Sequence, residues 1–244
     1  MKMIDTNCLL MSHSKMKSCS NTEMISNARE MIQEGIKSAI VVVKNEEEAL
    51  SVKELNRLLV KESLPLKLEI ISLCEMNEAL FYEVKQGNVY TLGKRESYVY
   101  IDYAVEQSQF EIEKILYDLQ IKGIVPIIPN PETMEIFQSQ PNLLYKYIKK
   151  GALSQISIAS LLGKNGRKAK KFAVKFLNAN LADLVGTAYM DEYISLQEGY
   201  DLIAKKIGES TAIKLQRNAS SILVGESIIR EEPERISSKR LFIL

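Results

Sequence analysis

Ser38-Ala39-Ile40-Val41-Val42-Val43 is an unbroken apolar run that stops at Lys44 and Asn45. A strand with one wet face alternates apolar and polar residues; a strand covered on both faces need not, so this run reads as one strand of a buried parallel sheet. The residues after it complete a βα unit. Asn45 can cap a helix through Lys61 that carries Leu50, Leu55, Leu58 and Leu59 on one side. Leu68 to Leu73 is again strand-like, and a helix from about Asn77 to Gln86 ends at Gly87.

The same alternation extends outward in both directions. Met3-Ile4-Asp5-Thr6 opens the chain as a strand, and Ser20-Asn21-Thr22-Glu23 has capping-box spacing for a helix that Gly35 stops. Downstream, strands are expected at Tyr98 to Ile101, Val125 to Ile128, Ser154 to Ile158 and Leu184 to Gly186. Helices are expected over Phe110 to Lys122, up to Lys149, and over Gly166 to Asn178. Two closing helices, Leu196 to Lys206 and Thr211 to Val224, precede a tail from about residue 230 to 244. Seven βα units without a linker predict an α/β fold, a single distorted (βα)7 TIM-like barrel over residues 1–244. The tail ends Leu241-Phe242-Ile243-Leu244, which suits packing on the barrel or on a neighbouring subunit.

Composition narrows the chemistry. With 46% hydrophobic and 26% charged residues, the chain has the balance of a globular protein with a sizeable core. Its net charge of +1 calls for neither nucleic acid nor an anionic membrane. No apolar run approaches the roughly 20 residues of a transmembrane segment. Cys8, Cys19 and Cys74 are an odd set without C-x-x-C spacing, as expected of reduced thiols in a cytoplasmic protein. His13 is the single histidine. A histidine-rich hydrolase centre is therefore excluded, although carboxylates alone can hold magnesium.

Barrel active sites form where the strands end at their C-termini. Here those ends carry Asn7, Leu9, Lys44, Leu73, Asp102, Asn130, Ser157 and Thr187-Ala188-Tyr189-Met190. The ring holds one clear carboxylate, Asp102, and one ammonium, Lys44.

Met3-Ile4-Asp5-Thr6-Asn7-Cys8-Leu9 resembles the opening M-I-D-x-H-C-H of the manganese-dependent tyrosine phosphatases of capsule and exopolysaccharide operons, a family of the PHP (polymerase and histidinol phosphatase) fold. The resemblance continues through Leu119-Gln120-Ile121-Lys122-Gly123, Pro126-Ile127-Ile128 and Lys150-Gly151-Ala152-Leu153-Ser154-Gln155-Ile156, and reaches Arg217-Asn218-Ala219. The family's ligand motifs are changed. Asn7 and Leu9 replace the two histidines of H-C-H, and Lys15 and Met16 align with an acidic pair. Lys44 replaces the histidine of T-P-H, and Leu73 replaces a glutamate. Asn130 and Thr133 replace the histidine and arginine of A-H-P-E-R, and the final S-D-A-H reads Thr187-Ala188-Tyr189-Met190.

The resemblance implies a metal cluster that ionises water and clamps phosphate, and Leu, Ala and Met cannot ligate a hard cation. The expectation is a catalytically inactive relative with no catalytic residues and no metal cofactor, binding or regulating in polysaccharide export. Former ligand positions are Asn7, Leu9, Lys44, Leu73, Asn130, Ala188 and Met190. By the same resemblance, the partner is a bacterial tyrosine kinase or its tyrosine-rich tail, and the chain is a homo-oligomer. The alternative is a weak phosphatase with a displaced magnesium or manganese site built from Asp5, Asp102, Glu132 or Asp191.

Several residues admit two readings. Lys15, Lys44 and Asn130 can form an anion site in which ammonium charge replaces the metal, or the lysines can turn to solvent or pair with Asp5 or Asp102. Asn7 and Asn130 can bind a ligand, or satisfy each other. Strand alternation turns Cys8 and Cys74 toward the helices if Leu9 and Leu73 point inward. Lys164, Arg167, Lys168, Lys170, Lys171 and Lys175 form a basic face on a helix whose other side carries Ala169, Phe172, Ala173 and Phe176. That face is either simply solvated or a docking surface for an acidic partner or membrane phosphates.

Overall fold

The computed structural model describes residues 3–8, 21–93, 97–103, 109–188 and 193–237. Strands β1 (Met3–Asp5), β2 (Ile36–Val43), β3 (Lys67–Glu75), β4 (Ser97–Asp102), β5 (Ile124–Pro129), β6 (Leu153–Ser157) and β7 (Leu184–Gly186) form one sheet in chain order. Each pair of neighbours is parallel. Helices α1 (Asn21–Gln33), α2 (Glu46–Lys61), α3 (Leu80–Gln86) and α4 (Gln109–Ile121) connect the first five strands. After β5 come a 3-10 turn (Pro131–Thr133), α5 (Glu135–Ser139) and α6 (Pro141–Lys149). After β6 come α7 (Ile158–Leu162) and α8 (Gly166–Asn178), and α9 (Leu196–Lys206) and α10 (Glu209–Val224) follow β7. The result is an α/β barrel of the TIM-like kind.

Strand alternation divides the core in two. Ile40, Val42, Ile71, Tyr98, Tyr100, Ile127, Leu153 and Leu184 fill the barrel interior. The intervening Val41, Val43, Cys74, Val99, Ile101, Ile128, Ile156 and Val185 face the helices. Both faces are dry, which is why β2 reads as an unbroken apolar run.

β7 and β1 meet at a seam closed largely by side chains. Thr6 Oγ1 donates to the Val185 carbonyl at 2.8 Å, Thr187 Oγ1 to Asp5 Oδ2 at 2.6 Å, and the Ala188 N–H to the Asn7 carbonyl at 2.9 Å. Gly186 sits where the two strands approach. A Cβ there would lie 2.6 Å from the Asn7 nitrogen and 2.9 Å from its Cβ, so no larger residue fits without moving β1.

The opposite end of the barrel is plugged. Ile222 belongs to the interior cluster, with Leu223 and Ile228 packed against it. The segment 225–237 then straps the starts of the strands. Tyr98 donates to the Glu226 carbonyl, Asn218 brackets Ile229, and Arg230 donates to the Ile148 and Ala152 carbonyls while pairing with Asp183. Asn142 holds Ile236 through both its amide and its carbonyl. The apolar ending Leu241 to Leu244 lies outside the described residues.

One boundary bears on function. The apolar run predicts that the third strand ends at Leu73, but β3 continues through Cys74 to Glu75.

Candidate active site at the barrel mouth

β2, β3 and β4 deliver their last inward-facing residues to the C-terminal rim. Val42 faces the interior, so Lys44, two residues on, turns the same way. Its backbone N–H donates to Glu48 Oε2 at 2.7 Å, and the Glu48 N–H donates to Asn45 Oδ1, a reciprocal cap that fixes the turn leading into α2. On β3, Ile71 and Leu73 pack on the interior cluster, and Glu75 is the next residue with that orientation. On β4, Tyr98 and Tyr100 face inward and Asp102 follows.

Register then decides the chemistry. Leu73 lies beside Tyr100 and Glu75 beside Asp102, so two exposed carboxylates stand side by side at the rim. Neighbouring strands are about 4.8 Å apart, within reach of one shared cation. A cleft of about 270 Å³ opens beside Glu75, lined also by Lys44, Glu46, Leu73, Glu83 and Tyr90; Asp102 is not part of its lining. Glu46 is occupied: it accepts from the Tyr90 hydroxyl and pairs with Lys53, and those two bonds hold its carboxyl below the usual range.

The positions predicted from sequence fare differently. Asn7 does not pair with Asn130; its Nδ2 donates to Gln155 Oε1 at 2.9 Å, because β1 and β6 both point into the barrel there. Asn130 lies in the left-handed region at φ 48°, and its Oδ1 is buried without a hydrogen-bond partner. Leu73 packs against the interior cluster, and Ala188, at φ 42°, offers no side-chain donor. Lys44 makes no ion pair with Asp5 or Asp102 among the described residues. Leu9, His13, Lys15, Met190 and Asp191 lie outside the described residues.

Of the carboxylates considered for a displaced metal, two are already engaged. Asp5 is buried in the seam, accepting from the Asn7 and Thr187 N–H groups and the Thr187 hydroxyl. Burial raises its pKa despite those bonds. Glu132 is fully buried, and its Oε1 accepts from the Ser157 N–H and the Ser160 hydroxyl. Asp102 remains at the rim. Glu75 joins it, a residue that the sequence reading missed because it lies beyond the apolar run.

Cys74 faces the helices, and burial pushes its thiol up to about 12, helped by the Glu83 carboxylate. Cys8 also faces the helices, with Sγ 3.9 Å from Met31 Sδ. The raised pKa makes Cys74 a poor nucleophile.

The donor set does not fit a cluster of imidazoles, and among the described residues no three His, Cys, Asp or Glu side chains come together. It does fit a hard cation of the magnesium or manganese kind, which takes one or two carboxylates and completes its shell with water and substrate phosphate. Glu75 and Asp102 offer carboxylate oxygens on two neighbouring strand ends.

A model of the capsular polysaccharide synthesis family CpsB/CapC matches residues 10–224. The chain belongs to this family. It is 29% identical to the tyrosine-protein phosphatase YwqE of Bacillus subtilis, across 98% of this chain and 99% of YwqE. A stretch of 96 residues is 34% identical to CapC of Staphylococcus aureus, covering 39% of this chain and 38% of CapC. Among solved structures, the chain superimposes with a TM-score of 0.84 and 26% identity on one from a study of YwqE and of CpsB from Streptococcus pneumoniae, described there as metal-dependent tyrosine phosphatases. That match covers 96% of this CpsB/CapC-family chain and 100% of the other.

These relatives overturn two expectations, that the chain is catalytically inactive and that it uses no metal cofactor. Losing imidazoles at the family's ligand positions does not empty the rim of carboxylates, because β3 and β4 still end in Glu75 and Asp102. No helix among the described residues is long and apolar enough to cross a membrane.

Proposed function

We propose that this CpsB/CapC-family chain hydrolyses protein phosphotyrosine at the barrel mouth, with a divalent cation held by the carboxylates of Glu75 and Asp102. The register that sets these two residues side by side on β3 and β4 carries the reading. A bound cation would supply electrophilic stabilisation of the phosphoryl oxygens.

The chain's own residues divide the remaining work. Lys44 offers an ammonium to the phosphate from the cleft it shares with Glu75. Leu73 and Tyr100 form an apolar floor below the rim and keep water out of the barrel interior. Tyr100 is locked by donating to the Thr6 carbonyl at 2.7 Å. On this reading the substrate is the tyrosine-rich tail of a capsule-synthesis tyrosine kinase.

The test is release of phosphate from a phosphotyrosine peptide with added manganese or magnesium. Turnover is expected with metal and lost on adding a chelator. Lys44→Ala should raise KM roughly 10- to 100-fold, the worth of one charge-assisted hydrogen bond. Absence of turnover with either metal would refute the proposal.

A further inference from the structure

We infer that the exposed basic face of α8 is a docking track for an extended acidic polypeptide segment. α8 reads Gly-Arg-Lys-Ala-Lys-Lys-Phe-Ala-Val-Lys-Phe-Leu-Asn and contains no acidic residue. The whole chain carries a net charge of only +1, so Arg167, Lys168, Lys170, Lys171 and Lys175 concentrate positive charge on one element. None of the five has an ion-pair partner among the described residues. Arg167, Lys168 and Lys171 are exposed.

Like charges three and four residues apart on a helix repel, and among the described residues no carboxylate pairs with them. Lys175 feels this most. Its Nζ is shielded from solvent without a hydrogen-bond partner, 5.1 Å from the Phe172 ring centre. Desolvation and then Lys171 lower its pKa. An anion held at the exposed Lys171 would offset that repulsion.

Geometry selects the kind of anion. Arg167 and Lys171, both exposed, stand one turn apart, about 6 Å along the helix axis, with Lys168 beside them. Same-side side chains of an extended chain repeat every ~6.6 Å, so alternate carboxylates of a peptide can meet successive cations. A membrane surface is the poorer fit. A helix that lies on lipid buries its apolar side there, whereas Ala169, Phe172, Ala173, Phe176 and Leu177 are already buried against the barrel. The large exposed apolar residues lie on other elements, as Val60, Phe110 and Ile121 do.

The probe is a fluorescein-labelled peptide of alternating glutamate and serine, free of phosphate, followed by fluorescence anisotropy against the full chain. This readout needs no turnover, so its failure is separate from failure of the mouth chemistry. Binding is expected at low salt and weakens as salt rises. The pair Lys168→Glu and Lys171→Glu should weaken it about tenfold or more. Lys205→Glu with Lys206→Glu, an equal change of charge on exposed positions of α9, should leave it as it was. No binding by the unaltered chain would overturn the inference. So would equal loss in both pairs, or α8-dependent binding to phosphatidylserine vesicles without binding to the peptide.

Discussion

Glu132 is fully buried with only one of its carboxylate oxygens partnered. Burial raises its pKa from 4.5 to about 7, against the lowering effect of the Ser160 hydroxyl and the Ser157 N–H. Because the folded-state value lies above the unfolded one, this group's contribution to stability is complete below about pH 4.5. It is lost as pH rises through 7, a change of roughly 3 kcal/mol. The unfolding midpoint in urea should therefore fall between about pH 4.5 and 7.5, and Glu132→Gln should flatten that slope; an unchanged slope in the variant would assign the effect elsewhere. Gly186 is a second residue whose identity is forced. Gly186→Ala brings a Cβ within 2.6 Å of the Asn7 nitrogen, and should cost about 1–3 kcal/mol by thermal denaturation.

At the scale of elements, the order of strands and helices was readable because periodicity changes from one segment to the next. Ser38 to Val43 and Leu184 to Gly186 fall within or on the observed strands. The end of β3 was not readable. Cys74 and Glu75 break the apolar run, yet a barrel strand ends by turning a polar residue into the mouth, and only the pairing with β4 reveals it. The partner of Asn7 was equally hidden, since Gln155 lies 148 residues away. The strap over 225–237 leaves little trace in sequence because much of its anchoring runs to backbone carbonyls. Arg230→Ala removes two such bonds and leaves Asp183 buried without its ion pair. Destabilisation of about 3 kcal/mol is expected in urea unfolding; a change within experimental scatter would mean that the strap is dispensable.

For the whole molecule, the barrel acts as a frame that separates stability from chemistry. One end is sealed by Ile222, Leu223, Ile228 and the strap, while the other presents Lys44, Glu75 and Asp102 on successive strand ends. Such a frame keeps its mouth in place when individual residues change, so a chain with a single histidine keeps the fold of the YwqE and CpsB structure at 26% identity. On the proposed reading, activity depends on the carboxylate oxygens at the rim. The most direct measurement is the manganese dependence of phosphotyrosine-peptide hydrolysis in the unaltered chain, Glu75→Gln and Asp102→Asn. The account predicts metal-dependent turnover, with about a tenfold or greater rise in the manganese needed for half-maximal rate in each variant. Turnover with the same manganese requirement in all three proteins would contradict it, and so would no turnover in the unaltered chain.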